Sequence, residues 1–600
     1  MNNKLQVLNK TFGHNSFRDF QEEAVDTILN KNDLLTIIPT GGGKSLCYQL
    51  PALLLEGTAI VISPLIALMQ DQVMALEEKN INAAMISSAQ STQDIENTIE
   101  QMKNDSLKLL YIAPERFSAY GFLDLLKTVN ISFFVIDEAH CVSEWGHEFR
   151  ADYRNLGLLK QNFPNTPVSA FTATATLKVQ SDIQNALHIR NCTTLRGVTK
   201  RDNLKISIKK RLGNGRDQLI DFLKNREEEV GIVYTFSRKE ADNISTFLQN
   251  NNFKAKAYHA GLSNEIRDEV YKDFLYDRIN IVVATIAFGM GIDKSNIRFV
   301  AHTSMPKTME NFYQEIGRAG RDGLESDTML LFSKADEIKR KAFIANDING
   351  QYKDLLEEKL EAMYRFCISS SCRHKIIASY FNDTINDCET SCDNCTKGEI
   401  EQIDISVDAQ KFLSALYRTN QSFGQTHIID ILRGSKVAKI SQFSHQNLSV
   451  YGIGKDKSKN EWSAIVDRLF DIEAISIGEF KALKITNLGF DILKGNQTLF
   501  IDEDKLRNLE KDKVVKVKKT FENVNMDYFD KFKALRTTLA TAQNIPAYMV
   551  FSDKVLIELS ATLPKDKNEM LEVNGIGEVK YERYGEDFLN LSLSIKEEIN

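Results

Sequence analysis

With 600 residues, the chain is too long for a single hydrophobic core, which predicts several domains. Hydrophobic residues make up 42% and charged residues 26% of it, which excludes wholesale disorder and fibrous repeats. The net charge is -7 and no third of the chain is basic, so any nucleic-acid site must depend on local clusters rather than on a bulk positive field.

Short β-branched runs alternate with amphipathic stretches over the first half of the chain. Buried strands, each followed by a helical pattern, are predicted at 34–40, 59–63, 108–113, 133–140 and 168–175. After a polar, basic segment near Lys200 to Arg216 the pattern restarts, with strands predicted at 231–237, 254–259, 279–285 and 297–302. This alternation is typical of parallel α/β sheets, and two of them in tandem place a cleft between them.

The second half of the chain is mostly helical. The helical periodicity from about 343 to 400 ends in a cysteine cluster, and 405–495 combines helices with a strand pair around Gly478. The charge-dense stretch 502–519 has the composition of a linker, with 511–519 as its basic end, and 525–600 is again helical.

The N-terminal segment, MNNKLQVLNK, lacks the apolar run of a signal peptide. The longest apolar stretches are interrupted by polar residues or proline, as at Ser63 and Pro64. We therefore expect a cytosolic protein.

Four of the eight cysteines lie close together in the sequence, at Cys372, Cys388, Cys392 and Cys395. Eight cysteines are too few for a disulfide scaffold of this length. Four clustered thiolates in a reducing compartment instead predict a closed, tetrahedral zinc site with a structural role. The remaining cysteines are interpreted as small core residues, namely Cys47, Cys141, Cys192 and Cys367.

The segment IPTGGGKS follows a predicted strand and precedes a helical pattern. Glycines at this point allow backbone N–H groups to surround phosphates at a helix N-terminus, with the lysine reaching the β- and γ-phosphates and the serine binding Mg²⁺. A flexible turn with a chance lysine is the alternative, but the order of strand, glycines, Lys and Ser argues against it. The candidate nucleotide-binding residues are Thr40, Gly41, Gly42, Gly43, Lys44 and Ser45.

An acidic pair, Asp137 and Glu138, closes the predicted strand at 133–140. A carboxylate at the C-terminal end of such a strand is where the metal of a nucleotide is held, which makes Asp137 the candidate Mg²⁺ ligand. Glu138 is the candidate base that orients the attacking water. An acidic strand end alone is usually only a cap, and the glycine loop is what favours the catalytic interpretation.

The run QEIGRAGRDG at 314–323 places Arg318 and Arg321 three residues apart, on one helical face. Phosphoryl transfer is accelerated by an arginine that meets the γ-phosphate when a cleft closes, and Arg321 is the first candidate, with Arg318 the second. Gln314, at the start of the run, is a further catalytic candidate. Two solvated surface arginines are the alternative.

Trp145 is one of only two tryptophans, and it occurs in a polar, glycine-containing loop, VSEWGHEFR. An exposed aromatic beside an arginine suits base stacking and phosphate contact. We therefore predict a DNA-binding loop with Trp145, Phe149 and Arg150 as contacts. Packing of the two aromatic rings in the core is the alternative.

Taken together, the segments QEEA, PTGGGKS, SPLIALMQDQ, DEAH, FTATA, FGMGID and QEIGRAGRDG closely resemble those of superfamily 2 DNA helicases of the RecQ family. The resemblance covers nearly the whole chain. It implies ATP-driven 3′-to-5′ unwinding of DNA in repair, recombination and replication. It also implies a multi-domain α/β fold: RecA-like lobe 1 (1–205), RecA-like lobe 2 (206–342), a helical zinc-binding module (343–400), a winged-helix domain (401–500), a charged linker (501–524) and an all-helical HRDC domain (525–600).

Further residue roles follow from the resemblance. Gln21 matches an adenine-reading glutamine, Arg18 a nucleotide-contacting arginine, and Asp293 lies in a segment between nucleotide and DNA. His14 stands where the family often has a tyrosine that stacks on adenine, which predicts looser base selectivity, testable by comparing ATP with GTP turnover. The HRDC sequence LEVNGIGEVKYERYG provides a turn with exposed backbone, typical of nucleic-acid contact.

Winged-helix contacts with DNA are expected at a lysine cluster and at a hairpin. The cluster comprises Lys455, Lys457 and Lys459, with a solvated basic turn as the alternative. Phe480, at the tip of the hairpin, is a candidate wedge that parts the duplex.

The cofactors implied are ATP, Mg²⁺ and Zn²⁺. The partner is DNA, single-stranded and as tailed or forked duplex, with single-strand-binding protein or other repair proteins as further partners; we expect a monomer in the cytoplasm, associated with the nucleoid. An RNA helicase, and a nucleotide-gated DNA-binding scaffold that does not unwind, are the alternatives.

Overall fold

The computed structural model describes residues 3–87, 90–146, 149–286, 288, 294–347, 351–397, 401–478, 482–503, 506 and 525–599. The chain divides into two compact units. One consists of Met1–Met363, Arg373–Cys392 and Thr520–Asn600, and the other of Tyr364–Cys372 and Asp393–Lys519.

Lobe 1 contains a seven-stranded parallel sheet in the order β3-β4-β2-β5-β6-β1-β7. Its strands are β1 (Leu34–Ile37), β2 (Thr58–Ile62), β3 (Ala83–Ile86), β4 (Leu109–Ile112), β5 (Ile131–Ile136), β6 (Val168–Thr172) and β7 (Thr193–Arg196). Its helices are α1 (Asn3–Phe12), α2 (Gln21–Leu29), α3 (Lys44–Leu54), α4 (Ile66–Glu77), α5 (Thr92–Lys103), α6 (Phe122–Leu126), α7 (Ala151–Arg154), α8 (Leu158–Asn162) and α9 (Leu177–Ala186).

Alternate residues of the central strands enter two separate cores. In β5, Phe133 and Val135 belong to one apolar cluster, whereas Phe134 and Ile136 belong to the other. Because both faces of the sheet are covered, the strands have continuous apolar sequences rather than an alternating pattern. This arrangement leaves the strand ends as the accessible edge at which functional loops begin.

Lobe 2 contains a six-stranded parallel sheet in the order β10-β11-β9-β12-β13-β8. Its strands are β8 (Leu204–Lys210), β9 (Val230–Tyr234), β10 (Ala255–Tyr258), β11 (Ile281–Ala284), β12 (Ile297–His302) and β13 (Ser326–Phe332). The helices from here to the cysteine cluster are α10 (Arg216–Leu223), α11 (Arg238–Asn250), α12 (Asn264–Leu275), α13 (Met309–Ile316), α14 (Lys334–Asp347), α15 (Gln351–Ile368), α16 (Arg373–Tyr380) and α17 (Asp393–Thr396).

All nine strands predicted in the two lobes are confirmed, and four further strands, β3, β7, β8 and β13, had not been predicted. Strand β8 lies inside the polar, basic segment near Lys200 to Arg216. It is an edge strand whose alternate residues are partly exposed, so its sequence, LKISIKK, carries lysines that mask the strand pattern. The expected fold class of two tandem parallel-sheet lobes is confirmed.

The second unit is a small helical domain with two short antiparallel strand pairs. Its helices are α18 (Ser406–Arg418), α19 (Gln425–Leu432), α20 (Ala438–Gln442), α21 (Lys459–Asp471) and α22 (Asn487–Leu493). Its strands are β14 (Gln402–Asp404), β15 (Ile475–Ile477), β16 (Leu483–Ile485) and β17 (Phe500–Asp502). β15 pairs with β16 as predicted, and the wholly buried Trp462 donates from Nε1 to the Gly454 carbonyl at 2.7 Å.

The C-terminal helices form a compact domain within the first unit. They are α23 (Met526–Gln543), α24 (Ala547–Val550), α25 (Asp553–Thr562), α26 (Lys567–Glu572), α27 (Glu578–Lys580) and α28 (Glu586–Ile599). The core includes the stacked rings of Phe532 and Phe588, with ring centroids 6.0 Å apart. Among the described residues, no helix has the length and apolar character needed to cross a membrane.

Candidate ATP site and nucleic-acid interface

The glycine loop of lobe 1 connects β1 to α3, and Gly43 is the residue that caps this helix. Gly41 and Gly43 adopt φ angles of 81° and 82°, a region in which side chains other than glycine are strained. A Cβ placed on Gly43 would lie 2.4 Å from Nε2 of Gln21. The glycines are therefore required both for the turn and for the close approach of Gln21, and they place Lys44 and Ser45 in the first turn of α3.

Gln21 and Arg18 connect the N-terminal segment to this loop. The Gln21 side chain accepts from the Arg18 backbone N–H at 2.9 Å and approaches the Gly43 carbonyl at 3.3 Å. The Arg18 guanidinium donates to the Gly41 carbonyl at 3.0 Å. Both residues thus lie against the glycine loop, which is the predicted phosphate loop, where they can contact a bound nucleotide.

His14 lies close to the C-terminal helical domain. Its Nδ1 is 3.2 Å from Oδ1 of Asn574, and burial lowers the pKa of the His14 imidazole. The ring is therefore mainly neutral near pH 7. Neutrality is compatible with stacking on a base, because stacking requires no charge on the ring.

Asp137 and Glu138 follow β5, at the edge of the sheet where the glycine loop begins. Burial and the neighbouring Glu138 raise the pKa of Asp137 to about 6, while Lys44 opposes that shift. A carboxyl group whose ionisation is opposed by burial gains most from a bound cation. This residue type and placement fit the predicted Mg²⁺ ligand.

Glu138 adopts a left-handed backbone conformation, with φ 49°, and contacts His140. The Nδ1 atom of His140 lies 3.2 Å from Oε2 of Glu138 and 3.0 Å from Oγ1 of Thr172, at the end of β6. Burial opposes a charge on this imidazole, but Cys141 and Glu138 raise the pKa of His140 to about 10. The His140 ring therefore links the Glu138 carboxylate to the end of the neighbouring strand β6.

Lobe 2 meets the glycine loop through the segment 314–323. A Cβ placed on Gly41 would lie 3.4 Å from the Cα atom of Arg321, and one placed on Gly317 would lie 2.8 Å from Oγ1 of Thr40. Gln314 donates from Nε2 to Oγ1 of Thr174, just beyond β6, at 3.3 Å. The predicted catalytic residues of the two lobes are thus brought together.

The two candidate arginines differ in their surroundings. Arg318 is buried and interacts with Tyr234. Arg321 is partly exposed and its backbone faces Gly41. This contrast favours Arg321 as the arginine that reaches the phosphates.

Arg201 was not predicted as a site residue, although it lies in the basic segment. It donates to the carbonyls of Gly317 at 2.9 Å and Gly320 at 2.5 Å, and its guanidinium carbon lies 3.5 Å from the Cβ position of Gly41. Burial lowers the pKa of Arg201 to about 10. Arg201 therefore joins Arg18 and Arg321 as a third arginine beside the glycine loop.

Trp145 is half-buried rather than exposed, which corrects the sequence expectation. It packs against the core of lobe 1, and Nζ of Lys178 lies 3.1 Å from the centroid of its ring. Phe149 is exposed, whereas Arg150 donates to the Pro64 carbonyl at 3.0 Å. The loop therefore has one aromatic ring available and one that is covered.

The four clustered cysteines converge as predicted. The sulfur atoms of Cys372, Cys388, Cys392 and Cys395 all lie within 4.8 Å of one another. Four thiolates at about 2.3 Å from a common ion suit tetrahedral Zn²⁺ and leave no position for water. The cluster fits a structural zinc site.

The three lysines of the winged-helix cluster differ in exposure and in ion pairing. Lys455 and Lys459 are exposed, but Lys457 forms an ion pair of 3.2 Å with Asp408. Two of the three lysines are thus accessible for a phosphate.

The C-terminal turn that was expected to expose its backbone is packed against lobe 1. The backbone N–H of Gly575 donates to the Gly13 carbonyl at 2.9 Å. Arg583 donates to Glu78 at 2.7 Å in the same region. In this structure the turn therefore contacts protein. The expectations for Asp293, Phe480 and the linker 511–519 lie outside the described residues.

Family models match five consecutive parts of the chain. They are the DEAD/DEAH box helicase at 18–183, the helicase conserved C-terminal domain at 214–323, RecQ zinc-binding at 334–396, the RQC domain at 399–510 and the HRDC domain at 525–591.

Curated relatives match over nearly the full length. The "ATP-dependent DNA helicase RecQ" of Haemophilus influenzae is 39% identical over 590 residues, 98% of this chain and 95% of the relative. The protein of the same description from Bacillus subtilis is 40% identical over 583 residues, 96% of each chain. The "ATP-dependent DNA helicase Q1" of Pongo abelii is 37% identical over 452 residues, 72% of this chain and 69% of the relative.

Two parallel-sheet lobes that meet at a glycine loop, an acidic strand end and paired arginines define a two-lobed helicase motor. The chain belongs to the RecQ family, with its zinc-binding, RQC and HRDC domains following the motor in that order. The exact bounds of the six predicted segments stay a prediction.

Proposed function

We propose that this chain is an ATP-dependent DNA helicase that unwinds duplex DNA with 3′-to-5′ polarity in repair, recombination and replication. The observation that carries the proposal is the position of Arg321 of lobe 2 against Gly41 of lobe 1. A motor needs hydrolysis in one lobe to be sensed by the other, and a catalytic arginine supplied across the cleft provides this coupling. A cytoplasmic location on nucleoid DNA is part of the proposal, since four thiolates need a reducing compartment to bind zinc.

The phosphate end of ATP is bound by lobe 1. Backbone N–H groups of Gly41, Gly42 and Gly43 and the ammonium of Lys44 hold the phosphates. Asp137 and Ser45 would hold Mg²⁺, which neutralises charge on the phosphate oxygens when bound. Glu138 orients the attacking water, and Arg321 stabilises the charge that develops on the transferred phosphoryl group.

The opposite end of the nucleotide is read by the N-terminal segment. Gln21 and Arg18 are fixed to the glycine loop by hydrogen bonds. Binding of a base by these two residues is therefore coupled directly to the loop that binds the phosphates. His14 provides a neutral ring for stacking on adenine. This ring is smaller than a phenol, which is the reason to expect weaker selectivity for the base.

DNA is contacted through stacking and local charge. Trp145 and Phe149 offer rings for bases, and Arg150 and the lysines at 455 and 459 offer charge for phosphates. Closing of the lobes on ATP shortens their spacing along single-stranded DNA, and hydrolysis releases it. The net charge of -7 fits affinity concentrated where a single strand enters, with salt-sensitive, weak binding to plain duplex.

Strand displacement on duplexes with a 3′ or a 5′ single-stranded tail tests the proposal. The wild type should separate the 3′-tailed duplex in the presence of ATP, and Lys44→Ala should separate neither, because the phosphates lose their main cation. Measuring both tails with both proteins gives polarity and ATP dependence together. Unwinding of only the 5′-tailed duplex would reject the polarity.

Trp145→Ala should separate ATP hydrolysis from DNA binding. We expect nucleotide affinity to stay unchanged and the stimulation of ATPase by single-stranded DNA to fall by about tenfold, since a stacked base contributes about 1–3 kcal/mol. ATPase assays over an oligothymidine titration check this, with nucleotide binding as the control. Full stimulation of the variant would remove Trp145 from the DNA-coupling role.

A further inference from the structure

The accessible face of the Trp145 ring is covered by a lysine of the same lobe. The ring packs against the core of lobe 1, and Nζ of Lys178 lies 3.1 Å from its centroid. Lys178 is the second residue of α9, and the side chain of Thr176 caps the start of that helix by accepting from the Val179 backbone N–H. An ammonium at this distance occupies the space that a stacked base would need.

A second lysine holds the backbone of the same loop. Lys359 of α15 donates to the Trp145 carbonyl at 2.9 Å and to Oε1 of Glu310 at 2.7 Å. Lys359 and Glu310 are both buried, at 8% and 4% exposure, so this attachment is shielded from solvent. Lys178 is exposed. The hydrogen bond from Lys359 to the Trp145 carbonyl is therefore the more persistent of the two contacts. The contact of the exposed Lys178 ammonium with the ring is the one that a ligand or water can displace.

The buried attachment leads to the ATP site. Glu310 lies on α13, the helix that also carries Gln314, and Gln314 donates to Thr174, just beyond β6. Movement at Trp145 is thus connected, through Lys359 and one helix, to a residue beside the cleft between the lobes. A change in the ring position has a structural route to the catalytic residues.

We propose that Lys178 is a positioning residue that latches Trp145 in the DNA-free protein and is displaced when a nucleobase stacks on the ring. The proposal rests on the DNA-coupling role proposed above for Trp145. In the latched state the ring is unavailable, which holds down hydrolysis without DNA. When single-stranded DNA enters, the base replaces the ammonium, which returns to solvent.

This latch has a consequence opposite to that of an ordinary DNA-binding lysine. A contact that exists only in the free state opposes DNA binding by the factor with which it stabilises that state. For an exposed cation–π contact this factor is about 2- to 5-fold. Removing the ammonium should therefore tighten DNA binding, whereas loss of a lysine that contacts phosphate weakens it.

Three variants of the full chain test the latch. Lys178→Met removes the ammonium and keeps an unbranched side chain, Lys178→Arg keeps the cation, and Lys103→Met removes the same charge from an exposed position elsewhere on lobe 1. The readouts are DNA-free ATPase, the oligothymidine concentration that gives half-maximal ATPase, and acrylamide quenching of tryptophan fluorescence. The only other tryptophan, Trp462, is wholly buried and gives a constant background.

For Lys178→Met we expect DNA-free ATPase to rise, half-saturation to move to about 2- to 5-fold lower oligothymidine, and quenching of Trp145 to increase. Lys178→Arg and Lys103→Met should resemble the wild type. Half-saturation at higher oligothymidine in Lys178→Met, or equality of this variant with Lys103→Met in all three readouts, would overturn the latch. Trp145→Ala separates the two ideas: if it keeps full DNA stimulation, the coupling role itself fails, whereas an uncoupled Trp145→Ala beside a silent Lys178→Met rejects only the latch.

Discussion

Replacing Arg321 by alanine should lower the rate of DNA-stimulated ATP hydrolysis by about a thousandfold or more. A catalytic arginine that reaches the transferred phosphoryl group across a cleft contributes about 10³- to 10⁵-fold to the rate. Arg321 faces the phosphate loop from lobe 2, and its backbone lies against Gly41. Because it is partly exposed, its removal should leave folding unchanged. Steady-state ATPase with saturating oligothymidine, together with a thermal melt, checks both statements.

Arg318→Ala is the matched control, since it removes the same group three residues away. Arg318 is buried against Tyr234, so its loss leaves a cavity and should lower the melting temperature as well as the rate. Arg321→Lys adds a second control, because a lysine keeps the charge but lacks the planar guanidinium. If Arg321→Ala hydrolyses ATP at the wild-type rate while Arg318→Ala does not, the catalytic arginine is Arg318.

Much of the ATP site could be predicted because its residues are contiguous in sequence. The glycine loop, the acidic strand end and the arginine run each carry their chemistry within ten residues, and the parallel sheets bring their strand ends to one edge. The cysteines are separated by short intervals, so their convergence was predictable as well. In each case the local order of residue types, rather than a long-range contact, contained the information.

Contacts between distant residues could not be predicted in this way. Arg201 joins the phosphate loop only because β8 begins a new sheet, and that edge strand has the polar sequence of a linker. Lys178 and Lys359 reach Trp145 from helices that follow it by more than thirty and two hundred residues. The C-terminal turn has a sequence suited to exposed backbone, yet Gly13 offers it a protein partner. Such pairings depend on tertiary packing, which local patterns do not specify.

Removal of the zinc should weaken the motor as well as the zinc-binding segment. Cys388→Ala deletes one of four thiolates that lie within 4.8 Å of one another, and it should lower zinc affinity by more than about 100-fold, since even an outer hydrogen-bond partner of a ligand contributes about 10- to 100-fold. The buried Cys367 lies outside the cluster, which makes Cys367→Ala the matched control. A colorimetric assay after dialysis should find about one zinc per chain in the wild type and in Cys367→Ala, and almost none in Cys388→Ala.

Loss of zinc should affect the motor because residues within the cysteine segment 372–395 contact the connection between the two lobes. Asp383 accepts from the Thr199 backbone at 2.8 Å, and the Ser391 carbonyl accepts from the Ile206 backbone at 2.9 Å. These contacts brace the connection between the lobes, and Arg201 lies within it. Without zinc the segment loses the bonds that order it, so the connection loosens and DNA-stimulated ATPase should fall together with zinc content. Limited proteolysis should then cut within 372–397 in Cys388→Ala but not in Cys367→Ala. A zinc-free variant with wild-type ATPase would show that the brace is dispensable for hydrolysis.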